Sequence, residues 1–266
     1  MLANRCVNDY RNTLYAGKHS TPLQGSYLPQ IGIYVGTSGW LYDWNLEGSL
    51  DWYVRHSGLN AVELNASFYR FPFPSQVASW ARRGRELRWA VKVHRRITHV
   101  HRLNPNALGV WERFHKLFKP LDSLVDFYLF QLPPSYRATS ENIERLERFA
   151  AEAGLGERMA VEFRHESWFE NGLGVEVCRR IGATFVSVDS PIGVYIAASN
   201  DTVYLRMHGR VLWYAHNYTD EELLEDAKRV LALNPRRIYV FFNNDHDMLE
   251  NARRMLKLLV ELAKQS

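Results

Sequence analysis

Residues 159–168 read MAVEFRHESW, which is the pattern of a β-strand with one apolar face and one charged face. Side chains alternate across a strand, so Val161 and Phe163 point to one face while Glu162 and Arg164 point to the other. Removing a carboxylate and a guanidinium from water is costly, and apolar residues would often serve a core as well. The charged face therefore predicts a strand that lines a functional site.

Strand-like runs alternate with helix-like runs from Ile31 onward, which is typical of parallel βα units. The predicted strands are Ile33–Thr37, Ala61–Asn65, Trp89–His94, Phe127–Leu132, Ala160–Arg164, Thr184–Asp189, Val203–His208 and Ile238–Asn243. Eight βα repeats in roughly 250 residues predict an α/β fold, a single (β/α)8 TIM barrel. A doubly wound open sheet is the alternative, but no glycine-rich phosphate fingerprint opens the first helix.

Helix ends can be located between several of these strands. Ser140 is predicted to cap a helix that Gly154 terminates. Thr219 and Glu222 have the spacing of a capping box, in which each residue's side chain bonds the other's backbone N–H. The last helix is predicted over residues 248–263, because its apolar residues recur at helical spacing.

Composition fits one folded domain. The 266 residues are 46% hydrophobic and 23% charged, which suits a large core and excludes a disordered chain. Glycine and proline interrupt residues 1–30, so we predict an N-terminal extension there and one barrel domain over residues 31–266. Cys6 and Cys178 lack metal-ligand spacing, which favours a reducing cytoplasm. No long apolar segment indicates a membrane partner, and a net charge of +4 permits an anionic partner without requiring one.

Polar residues gather where the predicted strands end, which is the functional face of such a barrel. Five strands carry a polar pair at positions i and i+2, and the period-two rule predicts that each pair faces the barrel interior. The pairs are Glu63 with Asn65, Lys92 with His94, Glu162 with Arg164, Ser187 with Asp189, and Arg206 with His208.

We predict catalytic roles for the ionisable residues Glu162, Glu63, Asp189 and His208. Substrate-binding roles are predicted for Asn65, Tyr69, Lys92, Gln131, Arg164, Arg206 and Asn243, with Trp40 and Trp168 as aromatic stacking platforms. The oligomeric state is left open.

Three kinds of site are compatible with these residues. Lys92, Arg164 and Arg206 could clamp a phosphate or carboxylate while a carboxylate acts as base. Glu63, Glu162, Asp189 and His208 could instead hold a divalent metal, although three cations stand at the same place and no HExxH spacing occurs. Two carboxylates beside aromatic residues are also the groups with which a glycosidase binds and cleaves a sugar. We therefore predict no cofactor and keep the divalent metal as an alternative.

Several ordered motifs resemble those of YecE-like proteins over about residues 31–262. They are GTSGW at 36–40, VELN at 62–65, QLPP at 131–134, VEFRH at 161–165, RMHG at 206–209 and FNN at 242–244. The resemblance implies a TIM barrel in a family of unknown function. It also implies a fold similar to the endonuclease IV and xylose isomerase group, hence nucleic-acid or sugar substrates.

The function predicted first is a hydrolase or lyase that acts on a small anionic ligand, phosphorylated or sugar-like, bound at the mouth of the barrel. A non-catalytic nucleic-acid-binding protein is the second hypothesis, and the basic run of Arg95, Arg96 and Arg102 would then contact the phosphate backbone. A metal-dependent phosphodiesterase related to endonuclease IV-like barrels is the third.

Overall fold

A closed barrel of eight parallel strands forms the centre of residues 31–265, the part of the chain that the computed structural model describes. The ring closes because β5 pairs with β6. The barrel strands are β1 Gly32–Ser38, β2 Ala61–Leu64, β3 Arg88–Lys92, β4 Val125–Gln131, β5 Met159–Glu162, β6 Thr184–Ser190, β8 Thr202–Met207 and β9 Arg237–Phe242. The predicted TIM barrel is confirmed, while the extension predicted for residues 1–30 lies outside the described residues.

Amphipathic helices cover the outside of the strands. They are α1 Leu50–His56, α2 Pro74–Arg83, α3 Pro105–Phe118, α4 Ser140–Ala153, α5 Leu173–Arg180, α6 Asp220–Leu231 and α7 Met248–Ala263. The bounds predicted for α7 and the capping box of Thr219 with Glu222 are confirmed. Among these helices, none combines the length and the apolar character needed to cross a bilayer.

The cap predicted for α4 is wrong by one residue. Thr139, not Ser140, has extended backbone angles, and its hydroxyl accepts a hydrogen bond from the Asn142 amide at 3.3 Å. A residue can cap only from outside the helix, so Ser140 occupies the first helical position. Gly154 ends the helix with a φ of 61°, as predicted.

The connection between β6 and β8 differs from the predicted βα repeat. A short strand, β7 Gly193–Tyr195, runs antiparallel to β6 where a helix was expected. The connection spans only residues 191–201, whereas a helical crossover between parallel strands usually needs a dozen residues or more. The eighth helix is therefore replaced by a hairpin arm.

Apolar residues line both faces of the barrel wall. The outer faces of the strands pack against the helices, where Cys178 on α5 is fully buried and burial raises the pKa of its thiol. The middle of the interior is also apolar, with Ala90, Phe127, Tyr204 and Phe241 in contact. This inner layer forms a floor beneath the polar C-terminal end of the barrel.

Candidate functional site

Arg206 links two buried carboxylates at the C-terminal end of the barrel. Its Nε donates to Glu63 Oε2 at 2.9 Å, and its Nη1 donates to Glu162 Oε2 at 2.5 Å. The three side chains come from β8, β2 and β5, and all three are fully buried. One guanidinium therefore joins distant strands, and the charge pairing offsets the cost of removing these groups from water.

Glu63 is held by donors on every side. Arg206 donates to both of its oxygens, the Ser38 hydroxyl donates to Oε1 at 2.6 Å, and the Tyr204 hydroxyl donates to Oε2 at 2.8 Å. A carboxylate offers about four acceptor sites, so these bonds occupy all of them. Glu63 thus has no free lone pair for a substrate proton, and its contacts fix the orientation of Arg206.

Glu162 is the second anion of the cluster. Its Oε1 lies 2.5 Å from Arg164 Nε and 3.1 Å from His208 Nε2. Burial would raise the pKa of Glu162, but the charges of Arg164 and Arg206 outweigh it and hold that pKa well below its ordinary value. Burial and the same two arginines hold the pKa of His208 well below its ordinary value, so the imidazole is neutral. Asn243 Nδ2 lies 3.4 Å from Nδ1 of His208.

Arg164 is covered by an aromatic ring that was not among the predicted site residues. Trp213, on the loop between β8 and α6, lies 4.3 Å from the Arg164 guanidinium and 5.4 Å from the His208 ring. Gln131 Oε1 accepts a hydrogen bond from Arg164 Nη2 at 3.4 Å. Trp213 is one of several aromatic residues in the loops, and nothing in the local sequence distinguishes it from the others.

Lys92 is a buried basic residue whose ammonium has no ion-pair partner in the described part of the chain. Its side chain enters the barrel at the end of β3, and its Nζ lies 4.2 Å from the centre of the Phe68 ring. The ammonium forms no hydrogen bond or ion pair with any of residues 31–265. Burial, and then the charge of Arg206, lowers the pKa of Lys92 to about 7. The cluster therefore holds three cations and two anions when Lys92 is protonated.

Asp189 lies on the outer side of β6, away from this cluster. Its carboxylate accepts hydrogen bonds from the Tyr218 hydroxyl at 2.9 Å and from Arg210 Nε at 2.8 Å. Asp226, on α6, shares the same arginine through Nη2 at 3.1 Å. Burial, and then the adjoining carboxyl group of Asp189, raises the pKa of Asp226 to about 8. These groups attach the loop after β8 to α6.

The interior placement predicted for Ser187 and Asp189 is wrong. Val186 contacts the interior core, so residues of the opposite parity on β6 face outward. Both faces of a parallel barrel strand are apolar, so alternation alone could not show which face was inside. Of the four groups of the predicted metal set, Asp189 lies apart from Glu63, Glu162 and His208, and the described residues contain no cluster of three His, Cys, Asp or Glu that could hold a metal ion.

Trp168 does not reach the mouth of the barrel. The side chain is fully buried, stacks on Phe163 at 4.1 Å, and donates from Nε1 to the Tyr136 carbonyl oxygen at 2.7 Å. The stacking platform predicted there is wrong, because residues of Phe163 parity face the helices that surround the barrel.

A cavity of about 430 Å³ opens beside the charged cluster, between the loops that follow β1 and β2. Its walls include the predicted residues Trp40, Asn65 and Tyr69. Ser38 and Tyr42 also line it, and neither was predicted as a site residue. Ser38 has the inward parity of β1, but the predicted strand ended at Thr37, so the period-two rule was not applied to it.

The family described as "Protein of unknown function DUF72" matches residues 34–266. The chain belongs to the DUF72 family. A solved DUF72 protein from Thermotoga maritima MSB8 is 29% identical, with a TM-score of 0.74 over 87% of this chain and 99% of that chain. Another from Enterococcus faecalis V583 is 22% identical, with a TM-score of 0.73 over 87% and 99% of the two chains.

A xylose isomerase domain containing protein from Salmonella typhimurium LT2 shares the barrel fold with this DUF72 chain. It is 14% identical, with a TM-score of 0.53 over 80% of this chain and 93% of that chain. A comparison with the curated proteins finds no match. The family of unknown function is thus confirmed, while the narrower YecE-like name stays a prediction.

Proposed function

We propose that this DUF72 protein, YecE-like by its motifs, binds a small anionic ligand at the C-terminal mouth of the barrel and acts on it as a hydrolase or lyase. The ligand is phosphorylated or sugar-like. The observation that carries the proposal is Lys92, a buried cation without a counterion among the described residues, in the same cluster as Arg164 and Arg206. An anion beside Lys92 would supply the charge that the cluster lacks.

The state of the ionisable groups in the cluster supports a proton-transfer role for Lys92. Glu63 has no free acceptor site, and Asp189 lies outside the cluster. Glu162 and His208 both have a pKa well below the ordinary value, so each is a weak base at neutral pH. Lys92, with a pKa of about 7, can gain or lose a proton near neutral pH. A group with such a pKa is suited to general acid–base catalysis. Lys92 is therefore the proposed acid–base group, and the two glutamates hold the arginines in place.

Calorimetric titration tests this proposal. Inorganic phosphate and glucose 6-phosphate should bind, while glucose should not. Lys92→Met should weaken phosphate binding by about tenfold or more, since the uncompensated charge is removed. Lys257→Met is the matched control, because the Lys257 side chain is 77% exposed on α7 and should leave binding unchanged. Absence of anion binding, or equal binding by Lys92→Met, would overturn the proposal.

Nucleic-acid binding is a second candidate, supported by the surface around the mouth. Arg95 and Arg96 are exposed there, and their side chains bond to none of residues 31–265, whereas Arg102 Nη2 donates to the Ser135 carbonyl oxygen at 2.9 Å. Exposed apolar side chains on the loops after the strands are Leu41, Leu46, Tyr69, Phe73, Val100, Ile192, Val211, Leu212 and Tyr214.

Fluorescence polarisation with a labelled single-stranded oligonucleotide tests this second candidate. Binding should weaken steeply as salt rises, and the double variant Arg95→Ala, Arg96→Ala should show a smaller dependence of affinity on salt concentration.

The cytoplasmic location stays a prediction from the cysteine pattern.

A further inference from the structure

The cavity of about 430 Å³ has the size and lining of a ligand subsite. Ligand pockets typically enclose about 300–1,000 Å³ and are lined mainly by apolar and aromatic residues. Trp40, Tyr42, Tyr69 and Trp80 supply aromatic surface here. Trp40 meets Trp80 edge to face at 5.9 Å, which fixes the position of both rings.

The cavity adjoins the charged cluster of the proposed function. Ser38, in the cavity wall, donates to Glu63 Oε1 at 2.6 Å and accepts from Arg206 Nη2 at 3.4 Å. Burial raises the pKa of Tyr42 to about 12, and the nearby charges of Asp245 and Glu63 contribute to the rise. A ligand that fills the cavity would therefore lie next to the Glu63 and Arg206 end of the charged cluster.

Asn65 adds a polar group to the same wall. Its Oδ1 is buried without a hydrogen-bond partner, and its carboxamide bonds to no side chain or backbone group of residues 31–265. An unpaired buried acceptor costs free energy that a bonded one does not. A half-turn of the carboxamide brings Oδ1 to the cavity side, where a ligand group with an O–H or N–H would provide the missing partner.

From these observations we infer that the cavity is the subsite for a flat aromatic group with a polar edge, covalently joined to the anion of the proposed ligand. The inference rests on the proposed function and narrows its substrate class from any small anion to an aryl or heteroaryl anion. The ring packs between the aromatic side chains, its polar edge bonds Asn65, and its anionic group meets Lys92.

Two phosphate monoesters separate the subsite from the anion site. Phenyl phosphate should bind about tenfold or more tightly than methyl phosphate in calorimetric titration, because only the phenyl ring fills the cavity. Tyr69→Ala should abolish most of this preference. Phe73→Ala is the matched control, since Phe73 is 70% exposed on the same loop and does not line the cavity, whereas Tyr69 is 65% exposed and does.

Equal binding of the two esters, or a preference that survives Tyr69→Ala, would overturn the inference and leave the proposed anion site intact. Absence of binding by both esters while inorganic phosphate binds would overturn the inference alone, and absence of binding by the esters and by inorganic phosphate would overturn both proposals. The three hydroxyphenyl phosphates test Asn65: at least one should bind more tightly than phenyl phosphate, and Asn65→Leu should remove that gain. If none binds more tightly, the Asn65 contact is rejected.

Discussion

Arg206 is ion-paired with two buried carboxylates, so its removal should destabilise the barrel strongly. Arg206→Met approximates the length of the side chain but leaves Glu63 buried without its counterion, and Glu162 with Arg164 as its remaining cation among the described residues. We expect a loss of about 3–5 kcal/mol in the free energy of unfolding, measured by urea denaturation. Arg55→Met, which breaks an exposed pair with Glu47, should cost about 1 kcal/mol or less. Similar losses in the two variants would contradict this role.

Anion affinity should depend on the protonation of Lys92. The pKa of Lys92 is lowered from 10.5 to about 7, so the ammonium fraction rises as pH falls through 7. Sulfate keeps a constant charge from about pH 9 to 6, and its affinity should increase about tenfold over that range, since it binds the ammonium more tightly than the amine. In Lys92→Met the affinity should be independent of pH. A pH dependence that the variant retains would assign the titration to another group.

At the scale of single residues, the sequence predicted those side chains whose parity was unambiguous. Glu63, Lys92, Glu162 and Arg206 converge inside the barrel as the period-two rule required. Asp189 does not converge with them. An apolar residue such as Val186, on the opposite face of β6, is equally suited to the barrel interior and to the helix layer, so the sequence could not show which face was inside. The hydrogen-bond saturation of Glu63 depends on contacts between distant strands, which no local pattern encodes.

The corrected cap of α4 gives a test at the level of an element. Thr139→Ala removes the hydroxyl that accepts from the Asn142 amide and should lower the free energy of unfolding by about 1 kcal/mol. Ser140→Ala, one residue later, should change it by less than about 0.5 kcal/mol, because serine inside the helix caps nothing. Urea denaturation of both variants measures the difference, and the reverse order would restore Ser140 as the cap.

The attachment of the β8–α6 loop should weaken as pH rises. The native state holds a proton on Asp226 up to about pH 8, whereas the ordinary pKa is 3.8. Between these values the native state binds more protons than the unfolded state, so stability falls as pH rises and levels off above 8. Because Asp226→Asn does not titrate, its stability relative to wild type should increase by more than about 1 kcal/mol from pH 5 to 8.

Asp220→Asn is the control for this pH experiment, since Asp220 is 81% exposed on the same helix and should not alter the slope. Urea denaturation at several pH values measures all three proteins. Parallel curves for wild type and Asp226→Asn would show that the carboxyl group titrates normally.

Element boundaries were predicted well where the chain has local end signals. The capping box of Thr219 and Glu222 and the glycine stop at Gly154 are local, and both are confirmed. The strand β7 was missed because its three residues are too short for a periodic pattern and are defined by pairing with β6.

For the whole molecule, the closing seam of the barrel should open most easily. β5 and β6 share only two paired positions, Ala160 with Thr184 and Val161 with Phe185, whereas β1 and β9 share six. The opening that lets amides at the β5–β6 seam exchange with solvent should therefore require about 1 kcal/mol less free energy than the opening at the β1–β9 pair. Hydrogen exchange followed by mass spectrometry measures both, and equal protection would contradict the expectation.

The closed barrel itself was predictable because eight strand patterns separated by amphipathic segments leave few other topologies. The cavity was not, since its walls come from two loops and a helix whose spacing along the chain says nothing about the volume between them. Function depends on the cavity and the charges around it rather than on the fold, because other proteins use the same fold for different chemistry.

The enclosed thiol of Cys178 makes ligand discovery accessible without an activity assay. Because α5 seals it and burial raises its pKa, an alkylating reagent can modify it only in molecules where that helix has separated from the barrel. The alkylation rate, measured on the peptide that contains Cys178, reports how often α5 separates from the barrel. A compound that binds only molecules in which α5 is packed on the barrel slows this reaction in proportion to its occupancy. Libraries of aryl phosphates can thus be ranked before any reaction is identified.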